Sequence, residues 1–486
     1  MAIRKLPRNL GRVINVNTEE QLQLVEPAKR VRLGVAKFRR LKRSQDIVEG
    51  VGWATVVFVI ASFIIDGGLN YIIDLPSALG AFSRLTALVA TNLLLIHILL
   101  VSRVPWLDRL YGHDRTTIAH KRLGKPILYL VVAHFLASLI QYSIFDGMNV
   151  FDELISMVTN NSDLLLSLIA LIAMITVVIT SIKIARAKLS YEAWYLVHLL
   201  SYVAVLAAIP HQFSTGSDIA GKPLQSAFWI SLYVFVGANL VWYRFLKPLV
   251  NMLKHRFTVT RVQTESSDTA SIYIGGKNLT DLTAKAGQFY LLRILNAKQW
   301  WRPHPFSLSA APNKDFVRFT IGDRGDDTAL MQNLKVGTKV MLEGPYGVFS
   351  EDRRTKEKVT LICAGIGVPP IRALAESMVA KPGDITIIYR TRTNEDAALL
   401  TELAAIADIR GHELRVLDGP RGTPTSWLPA GHEIMPDFKR LELLAPDVKD
   451  SDVFICGPIA WSRQVEKSLH QIGVPKHQIH AEEFAW

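Results

Sequence analysis

The sequence contains little cysteine, and this narrows the kinds of site that it can form. Among its 486 residues there are only two cysteines, Cys363 and Cys456, and both end segments that resemble β-strands. A disulfide framework or a thiolate metal site needs more cysteines at defined spacings, so neither is indicated. The chain is also too long for one typical domain.

The first 48 residues contain no long apolar run. A cleavable signal peptide is therefore not expected, because it would need an early apolar stretch followed by a small-residue cleavage site. The segment is basic instead, and we interpret it as a cytoplasmic flank that lies on the membrane surface.

Apolar residues are concentrated between about residues 50 and 245. Six segments there are long enough to cross a bilayer, and they are 51–73, 79–101, 118–145, 164–184, 192–212 and 226–245. Their connecting loops alternate between basic and acidic, so the positive-inside rule places both termini in the cytoplasm. Topology therefore explains much of the net charge of +12, and nucleic-acid binding is not indicated.

Four histidines lie in two of these segments at nearly equal spacings. His120 and His134 are 14 residues apart, and His198 and His211 are 13 apart. At the rise of an α-helix each pair spans about 20 Å, and the 14 residues between His120 and His134 are nearly four turns, which brings those two rings close to one face. Imidazole is a haem ligand, and polar rings in hydrocarbon are usually functional.

The pattern predicts two stacked haems, one between His120 and His198 on the inner side and one between His134 and His211 on the outer side. Pro210 precedes His211, so a local kink is expected to aim that ring. The alternative is that these histidines are hydrogen-bonded packing residues. His97 lies in an apolar segment without a matching partner, and we interpret it in that way.

Arg84 lies in the outer part of the second apolar segment, where a charge is costly unless it is paired or reaches the interface. Two interpretations remain open. Arg84 either extends to the membrane surface, or it serves an outer haem propionate or provides a positive field where the acceptor is reduced.

From about residue 257 the pattern changes to short alternating strands, which predicts an antiparallel β-domain that ends near residue 349. It contains the segments WRPHPFS, FTIGDRGDDT and EGPYG. An aromatic side chain there could cover a flavin, and the amides of a helix that starts after Thr328 could bind pyrophosphate. The alternative is a β-barrel with proline-shaped turns.

Beyond residue 359 strands alternate with helices, which is typical of a doubly wound sheet. The strand VTLIC leads into Gly365 and Gly367, but the third glycine of the dinucleotide fingerprint is missing. The strand ITIIYRTR ends in Arg390 and Arg392, which suit the 2′-phosphate of NADP, although surface charge is the alternative. A later strand ends in Cys456-Gly457-Pro458.

In this order, the doubled histidine spacing, HPFS, GIGVPP, CGP and the aromatic C-terminus resemble the NADPH oxidase/ferric reductase superfamily, and the architecture resembles a bacterial member. Such proteins join a six-helix transmembrane haem domain to a ferredoxin-reductase-like FAD/NADP module. The resemblance covers about residues 50–486. It implies a basic N-terminal segment (1–48), a haem domain (49–250), an FAD-binding β-barrel domain (251–352) and an NADPH-binding α/β domain (353–486).

The resemblance also implies roles for individual residues. Two b-type haems would be ligated by His120, His134, His198 and His211. FAD would be bound by His304, Pro305, Phe306, Ser307, Thr320, Gly325 and Thr328. NADPH would be bound by Gly365, Gly367, Pro369, Arg390, Arg392, Gly457 and Pro458. Cys456 would lie by the nicotinamide, Trp486 would stack on the isoalloxazine, and Arg84 would lie beside the outer haem.

Two features bear on the branch of the superfamily. Ferredoxin reductases carry Arg at the position of His304, whereas the oxidase and ferric reductase branch also uses His. The sequence shows no calcium-binding loops, peroxidase-like domain or long proline-rich tail, so simple constitutive activity is expected.

The resemblance implies an NADPH oxidase in the plasma (inner) membrane that passes electrons to external O2 and gives superoxide. A ferric or cupric chelate reductase is the alternative. A non-enzymatic haem sensor is disfavoured, because GIGVPP, YRTR and CGP indicate a nicotinamide site. No obligate protein partner is evident.

Overall fold

The computed structural model describes residues 35–70, 72–296, 299–432 and 434–483. Most of the basic N-terminal segment and Trp486 therefore lie outside the described residues. The chain divides into two compact units. The first unit consists of Ser44–Leu107 and His113–Phe245, and the second takes in Asp108–Gly112 and the chain from Leu246 onward.

The first part of the described chain is helical. Its helices are α1 (Val35–Ile65), α2 (Leu75–Val101), α3 (Pro105–Tyr111), α4 (His113–Asp146), α5 (Val150–Asn160), α6 (Ser162–Ser181), α7 (Lys183–Arg186), α8 (Tyr191–Ser214) and α9 (Pro223–Val241). Six helices are long and apolar enough to cross a membrane, and they are α1, α2, α4, α6, α8 and α9 with its continuation to His255. The six predicted spans are confirmed.

The first span differs from its prediction at both ends. α1 starts at Val35 rather than at residue 51, because lysine and arginine are good helix formers and continue the helix. It ends at Ile65 rather than at residue 73. Two residues beyond this end, Gly67 adopts a φ of 77°. A left-handed glycine is a common helix terminator. α2 then begins at an N-cap, where a side-chain oxygen of Asp74 accepts a hydrogen bond from the Ser77 amide at 2.9 Å.

α5 was not predicted from the sequence. Asn149 starts it, because its side-chain oxygen accepts hydrogen bonds from the amides of Phe151 and Asp152, each at 3.0 Å. Phe151 is 78% exposed and Ile155 54% exposed, although both are apolar. A short helix with one apolar face is typical of an element that lies in the membrane interface.

The second unit contains two kinds of sheet. Its strands are β1 (Thr258–Ser266), β2 (Thr269–Gly275), β3 (Phe289–Ile294), β4 (His304–Ser307), β5 (Val317–Gly322), β6 (Val340–Tyr346), β7 (Val359–Ala364), β8 (Ile385–Arg390), β9 (Glu413–Leu417), β10 (Asp452–Gly457) and β11 (Ile479–Glu483). The first six strands form two antiparallel sheets, ordered β1-β2-β5 and β4-β3-β6. The last five form one parallel sheet, ordered β11-β10-β7-β8-β9.

Helices cover the parallel sheet. The helices of this unit are α10 (Lys247–His255), α11 (Asp326–Gln332), α12 (Val368–Ser377), α13 (Leu400–Arg410), α14 (Asp437–Leu444) and α15 (Ile459–Ile472). All six residues of β7 and of β10 are buried, as expected for central parallel strands with both faces covered. The predicted fold class, a six-helix membrane bundle with an antiparallel β-domain and a doubly wound α/β domain, is confirmed.

One buried histidine gives the α/β domain a pH dependence. His412 donates from Nε2 to the Ala375 carbonyl at 3.0 Å, while its Nδ1 is buried without a partner among the described residues. Burial lowers the pKa of His412 from 6.5 to about 4. As pH falls from about 6.5, the unfolded state therefore takes up the proton first, and about 3 kcal/mol of stability is lost by about pH 4.

The substitution His412→Gln is expected to reduce the loss of stability between pH 7 and pH 4. Urea unfolding of the variant and of the unmodified chain across this range measures the effect. Equal losses in the two proteins would contradict the assignment to His412.

Candidate functional site

The inner histidine pair has the separation that a metal between two imidazoles requires. The ring centroids of His120 on α4 and His198 on α8 lie 6.2 Å apart, with an interplanar angle of 63°. Two metal–nitrogen bonds of about 2 Å, with about 1 Å from each nitrogen to its ring centre, add to about 6 Å. The described residues contain no group of three or more His, Cys, Asp or Glu side chains that could hold a metal ion. The separation of the two rings fits a metal that both histidines would ligate.

The two histidines of α4 are oriented by main-chain carbonyls of α2. Nδ1 of His120 donates to the His97 carbonyl at 3.2 Å, and Nδ1 of His134 donates to the Ser83 carbonyl at 3.0 Å. The two acceptors are 14 residues apart on α2, which equals the spacing of the histidines on α4. A ring that donates from Nδ1 presents the lone pair of Nε2 to a metal. Both rings are thus set to ligate through Nε2.

The two histidines of α8 have less hydrogen-bond support than the two histidines of α4. Nδ1 of His198 lies 3.5 Å from the Ser181 hydroxyl oxygen, at the limit of a hydrogen bond. Nδ1 of His211 is buried without a hydrogen-bond partner among the described residues. Pro210 lies inside α8 directly before His211, and it cannot donate the hydrogen bond of a regular helix.

His97 belongs to the surroundings of the inner pair. Its ring stacks on that of His120, with centroids 3.6 Å apart and an interplanar angle of 13°. Its Nε2 lies 2.9 Å from the His120 carbonyl. Because this nitrogen is already hydrogen-bonded, the contact agrees with a packing role for His97. The spacing argument left His97 without a partner, whereas the fold places it against a predicted ligand.

Arg84 is paired with an acid that sequence analysis did not single out. Nε of Arg84 donates to one carboxylate oxygen of Asp218 at 2.6 Å, and Nη2 donates to the other. Asp218 is buried in the loop between α8 and α9. The pairing that an arginine needs in this position is therefore provided by the protein. The available signal was that Asp218 is the sole acid between residues 215 and 222.

β4 carries the HPFS motif, and two of its side-chain polar atoms make no hydrogen bond to a described residue. Nε2 of His304 and Oγ of Ser307 are buried without a hydrogen-bond partner among the described residues. Burial lowers the pKa of His304, although Asp327, 3.7 Å away, acts in the opposite direction. Buried polar atoms without protein partners are candidates for contact with a bound ligand. Pro305 and Phe306 lie between them on the strand, so the motif fits a flavin.

The predicted pyrophosphate site differs in detail from its prediction. α11 starts at Asp326, so Thr328 lies inside the helix rather than before it. Its hydroxyl donates to the Gly325 carbonyl at 2.8 Å and accepts from the Arg324 amide at 2.8 Å, which orders the loop. The hydroxyl of Thr320 lies 2.7 Å from that of Ser271, its cross-strand neighbour on β2.

An unexpected ionic group stands beside this loop. Asp327 accepts hydrogen bonds from Arg302 at 3.1 Å and from Gln299 at 3.2 Å. Its carboxylate near the start of α11 would repel a pyrophosphate unless these partners neutralise it. Sequence analysis missed the three residues, because the contact joins segments 25 and 28 residues apart.

Three glycines allow close approach where β7 and β10 end. Gly365 adopts a left-handed φ of 51°, and a Cβ on Gly367 would collide with the Cys456 carbonyl. A Cβ on Gly457 would lie 2.7 Å from the Trp461 ring. α12 then begins with Pro369 in its first turn, and Pro458 precedes α15. The carboxyl ends of adjacent parallel strands are where such folds bind ligands, so the positions fit a dinucleotide.

The two residues Cys456 and Arg390 are less accessible than predicted. The Cys456 side chain is fully buried in a hydrophobic core, and burial raises the pKa of its thiol well above the usual range. A direct catalytic role of that thiol is not supported. Arg390 donates to the Thr391 and Pro420 carbonyls, the latter at 3.0 Å, whereas Arg392 is exposed. Arg392 is therefore the better placed of the two for a phosphate.

The six apolar helices, the antiparallel β-domain with its HPFS motif and the parallel α/β domain together define a membrane oxidoreductase with flavin and nicotinamide domains. Three family descriptions match the chain in order: "Ferric reductase like transmembrane component" at residues 86–209, "FAD-binding domain" at 254–350 and "Oxidoreductase NAD-binding domain" at 361–467. Together, these three domains match the NADPH oxidase/ferric reductase superfamily.

Curated relatives match about half of the chain. Flavohemoprotein A of Dictyostelium discoideum is 23% identical over 279 residues, which are 53% of this chain and 68% of the relative. The flavohemoprotein of Chromobacterium violaceum is 28% identical over 247 residues, 47% of this chain and 60% of the relative. The chain thus spans about two thirds or less of the curated relatives that it matches.

Solved structures match a similar share. The FAD/NAD-binding domain of a nitric oxide dioxygenase from Vibrio cholerae is 25% identical, with a TM-score of 0.37, over 47% of this chain and 97% of that domain. The cytochrome b5 reductase domain of Ulva prolifera nitrate reductase is 18% identical, with a TM-score of 0.40, over 48% of this chain and 98% of that domain.

Proposed function

We propose that the chain is a transmembrane NADPH oxidase that passes electrons from NADPH to O2 on the outer side and gives superoxide. The observation that carries the proposal is the inner pair, His120 and His198, at the separation of two ligands on one metal. When bound, FAD would convert a two-electron hydride into single electrons, and two b-type haems would carry these across the membrane.

The four histidines would hold the haems through Nε2. In this arrangement, the α2 carbonyls that accept from His120 and His134 keep those rings in the ligating tautomer. Each haem would be held by one histidine of α4 and one of α8, and it would supply single-electron transfer to an acceptor on the outer side.

The second unit would bind FAD and NADPH on the cytoplasmic side. His304, Phe306 and Ser307 would contact FAD through the side chains of β4. Gly325 and Thr328 would lie near its pyrophosphate. For NADPH, Gly365, Gly367, Pro369, Gly457 and Pro458 would admit the dinucleotide, and Arg392 would bind the 2′-phosphate. We retain the predicted domain division at residues 48, 250 and 352 as part of this proposal.

The state of Arg84 bears on the terminal acceptor. An anionic ferric chelate would be attracted by an unpaired cation beside the outer haem. Arg84 is instead bound by both oxygens of Asp218. This pairing favours O2, which is neutral, over the ferric or cupric chelate reductase that the same electron path would allow.

The test uses protein purified in detergent with FAD and haem. We expect NADPH oxidation in air, accompanied by cytochrome c reduction that superoxide dismutase abolishes. In a parallel anaerobic sample a ferric chelate replaces O2. Slow oxidation in air with rapid chelate reduction would contradict the oxidase and indicate a metal-chelate reductase. Absence of haem and flavin reduction by NADPH would contradict both enzymes.

A further inference from the structure

Four charged side chains form a neutral cluster around Arg84. In addition to the Arg84–Asp218 pair, Lys222 lies 3.2 Å from a carboxylate oxygen of Asp66 and 3.8 Å from one of Asp218. Gln225 donates to Asp66 at 2.7 Å. The cluster joins the end of α1, α2 and the loop before α9. Its two cations and two anions cancel.

The cluster is connected along α2 to the residue that supports a predicted outer haem ligand. Arg84 directly follows Ser83 on α2, and the Ser83 hydroxyl oxygen lies 2.8 Å from Nδ1 of His134. The adjoining cleft has mostly apolar walls, formed by the residues Phe58, Val59, Phe63, Leu88 and Trp229, with Asp66 and Asp218 among its polar members. A charge left uncompensated here would act on any acceptor that approaches the outer pair.

We propose that Asp218 determines the charge preference of the acceptor site. By neutralising Arg84, it makes the site selective for a neutral acceptor over an anionic one such as a ferric chelate. This inference rests on the proposed function, because it concerns the acceptor of that same electron path. Asp218 is a positioning residue in this account, since it acts through Arg84.

The physical reason is that a guanidinium stays charged at any ordinary pH. Without its carboxylate, Arg84 would present a full positive charge that is only partly exposed to solvent, with 37% of its side chain exposed. A partly desolvated charge beside apolar walls raises the local concentration of anions and lowers that of cations. Its effect is expected to decrease as salt screens it.

The test compares two one-electron probes of opposite charge, ferricyanide and hexaammineruthenium(III). Each accepts one electron without needing a position on iron. The measured quantity is the ratio of their anaerobic reduction rates with NADPH as donor. For Asp218→Asn we expect the ratio of ferricyanide to hexaammineruthenium(III) reduction to rise by about 5-fold or more at low ionic strength. The rise should shrink at high salt.

Three further variants make the result specific. Asp152→Asn removes the same charge from an exposed acid of α5, and it should leave the ratio almost unchanged. The double variant Arg84→Gln/Asp218→Asn should return the ratio close to that of the unmodified chain, because no charge is left uncompensated. His211→Leu removes a ligand of the outer haem, so it measures the reduction of each probe at the flavin and the inner haem, which is subtracted.

Three outcomes would overturn the inference. The first is an unchanged ratio in a haem-loaded Asp218→Asn protein. The second is an equal rise in Asp152→Asn, which would assign the effect to net surface charge. The third is a raised ratio that persists in the double variant. If Asp218→Asn loses haem, Asp218→Glu and the double variant provide the comparison, and a ratio that differs between these two proteins would overturn the inference.

Failure of the proposed function would look different. The haems of the unmodified chain would then not be reduced by NADPH under anaerobic conditions, whichever probe followed. If NADPH reduces the haems but Asp218→Asn leaves the probe ratio unchanged, only the proposed role of Asp218 is contradicted.

Discussion

Replacement of His198 by leucine is expected to lower NADPH-driven superoxide formation by at least about 100-fold, because metal sites that lose even a supporting partner often lose 10- to 100-fold in affinity or activity. The variant loses one of the two rings whose centroids lie 6.2 Å apart. Reduction of FAD by NADPH should persist, because the flavin and nicotinamide domains are unchanged. Haem content, measured by pyridine haemochrome, should fall from two to one per chain.

The matched control is His97→Gln, which changes another half-buried histidine of the first unit. Since Nε2 of His97 is already bonded to the His120 carbonyl, this variant should keep both haems. Loss of haem from His97→Gln together with retention in His198→Leu would reverse the assignment of the inner ligand. Equal haem content in both variants and the unmodified chain would contradict haem ligation by His198.

Arg318→Leu is expected to destabilise the second unit by about 3–5 kcal/mol, which is the usual cost of removing one partner from a buried ionic group. Arg318, on β5, donates to both carboxylate oxygens of Glu402 on α13, at 2.8 and 2.9 Å. Arg372, on α12, donates to the same carboxylate at 2.9 Å and also pairs with Glu376. Arg318 is only 3% exposed, so solvent cannot replace the lost contact.

The loss of folding stability at acid pH provides an independent measure of this network. Burial alone would raise the pKa of Glu402, but Arg318 and Arg372 lower it from 4.5 to about 2. The stabilisation is therefore complete above about pH 4.5 and is lost as pH falls toward about 2. In Arg318→Leu this loss should be smaller, because less stabilisation is present at neutral pH.

Urea unfolding of the full chain with FAD, followed by flavin fluorescence, measures both effects. Arg415→Leu is the control, because it breaks an ion pair in which the partner Glu413 is 46% exposed. Such an exposed pair is expected to contribute at most about 1 kcal/mol. Equal destabilisation by the two substitutions would contradict the importance of burial for the Arg318 network.

Much of the fold could be predicted because its signals are periodic. Apolar runs of bilayer length identified the six spans, and alternation of strands with helices identified the parallel sheet. The ends of α1 and the existence of α5 escaped prediction. The ends of α1 depend on Gly67 and on basic residues that continue a helix into water. The existence of α5 depends on an N-cap at Asn149 in a segment too short for a span.

The candidate site also contains residues that the sequence predicted and residues that it did not. Spacing predicted the histidine pairs, although 13 residues on a regular helix fall short of four full turns, so the register of His211 depends on the surroundings of Pro210. The partners Asp218 and Asp327 could not be predicted, because each meets its arginine only when distant segments fold together. Cys456 was assigned by its motif, but a central strand of a parallel sheet is covered on both faces, which buries the thiol.

The acceptors for Nδ1 of His120 and His134 are main-chain carbonyls, and this has a consequence for how the chain tolerates change. Any amino acid placed at position 83 or 97 still contributes the carbonyl that accepts from the ring, and a substitution of Ser83 removes only the additional hydroxyl beside Nδ1 of His134. The orientation of both rings is vulnerable instead to insertion or deletion. One residue added to α2 between these positions would turn one acceptor by about 100° and move it by about 1.5 Å relative to the other.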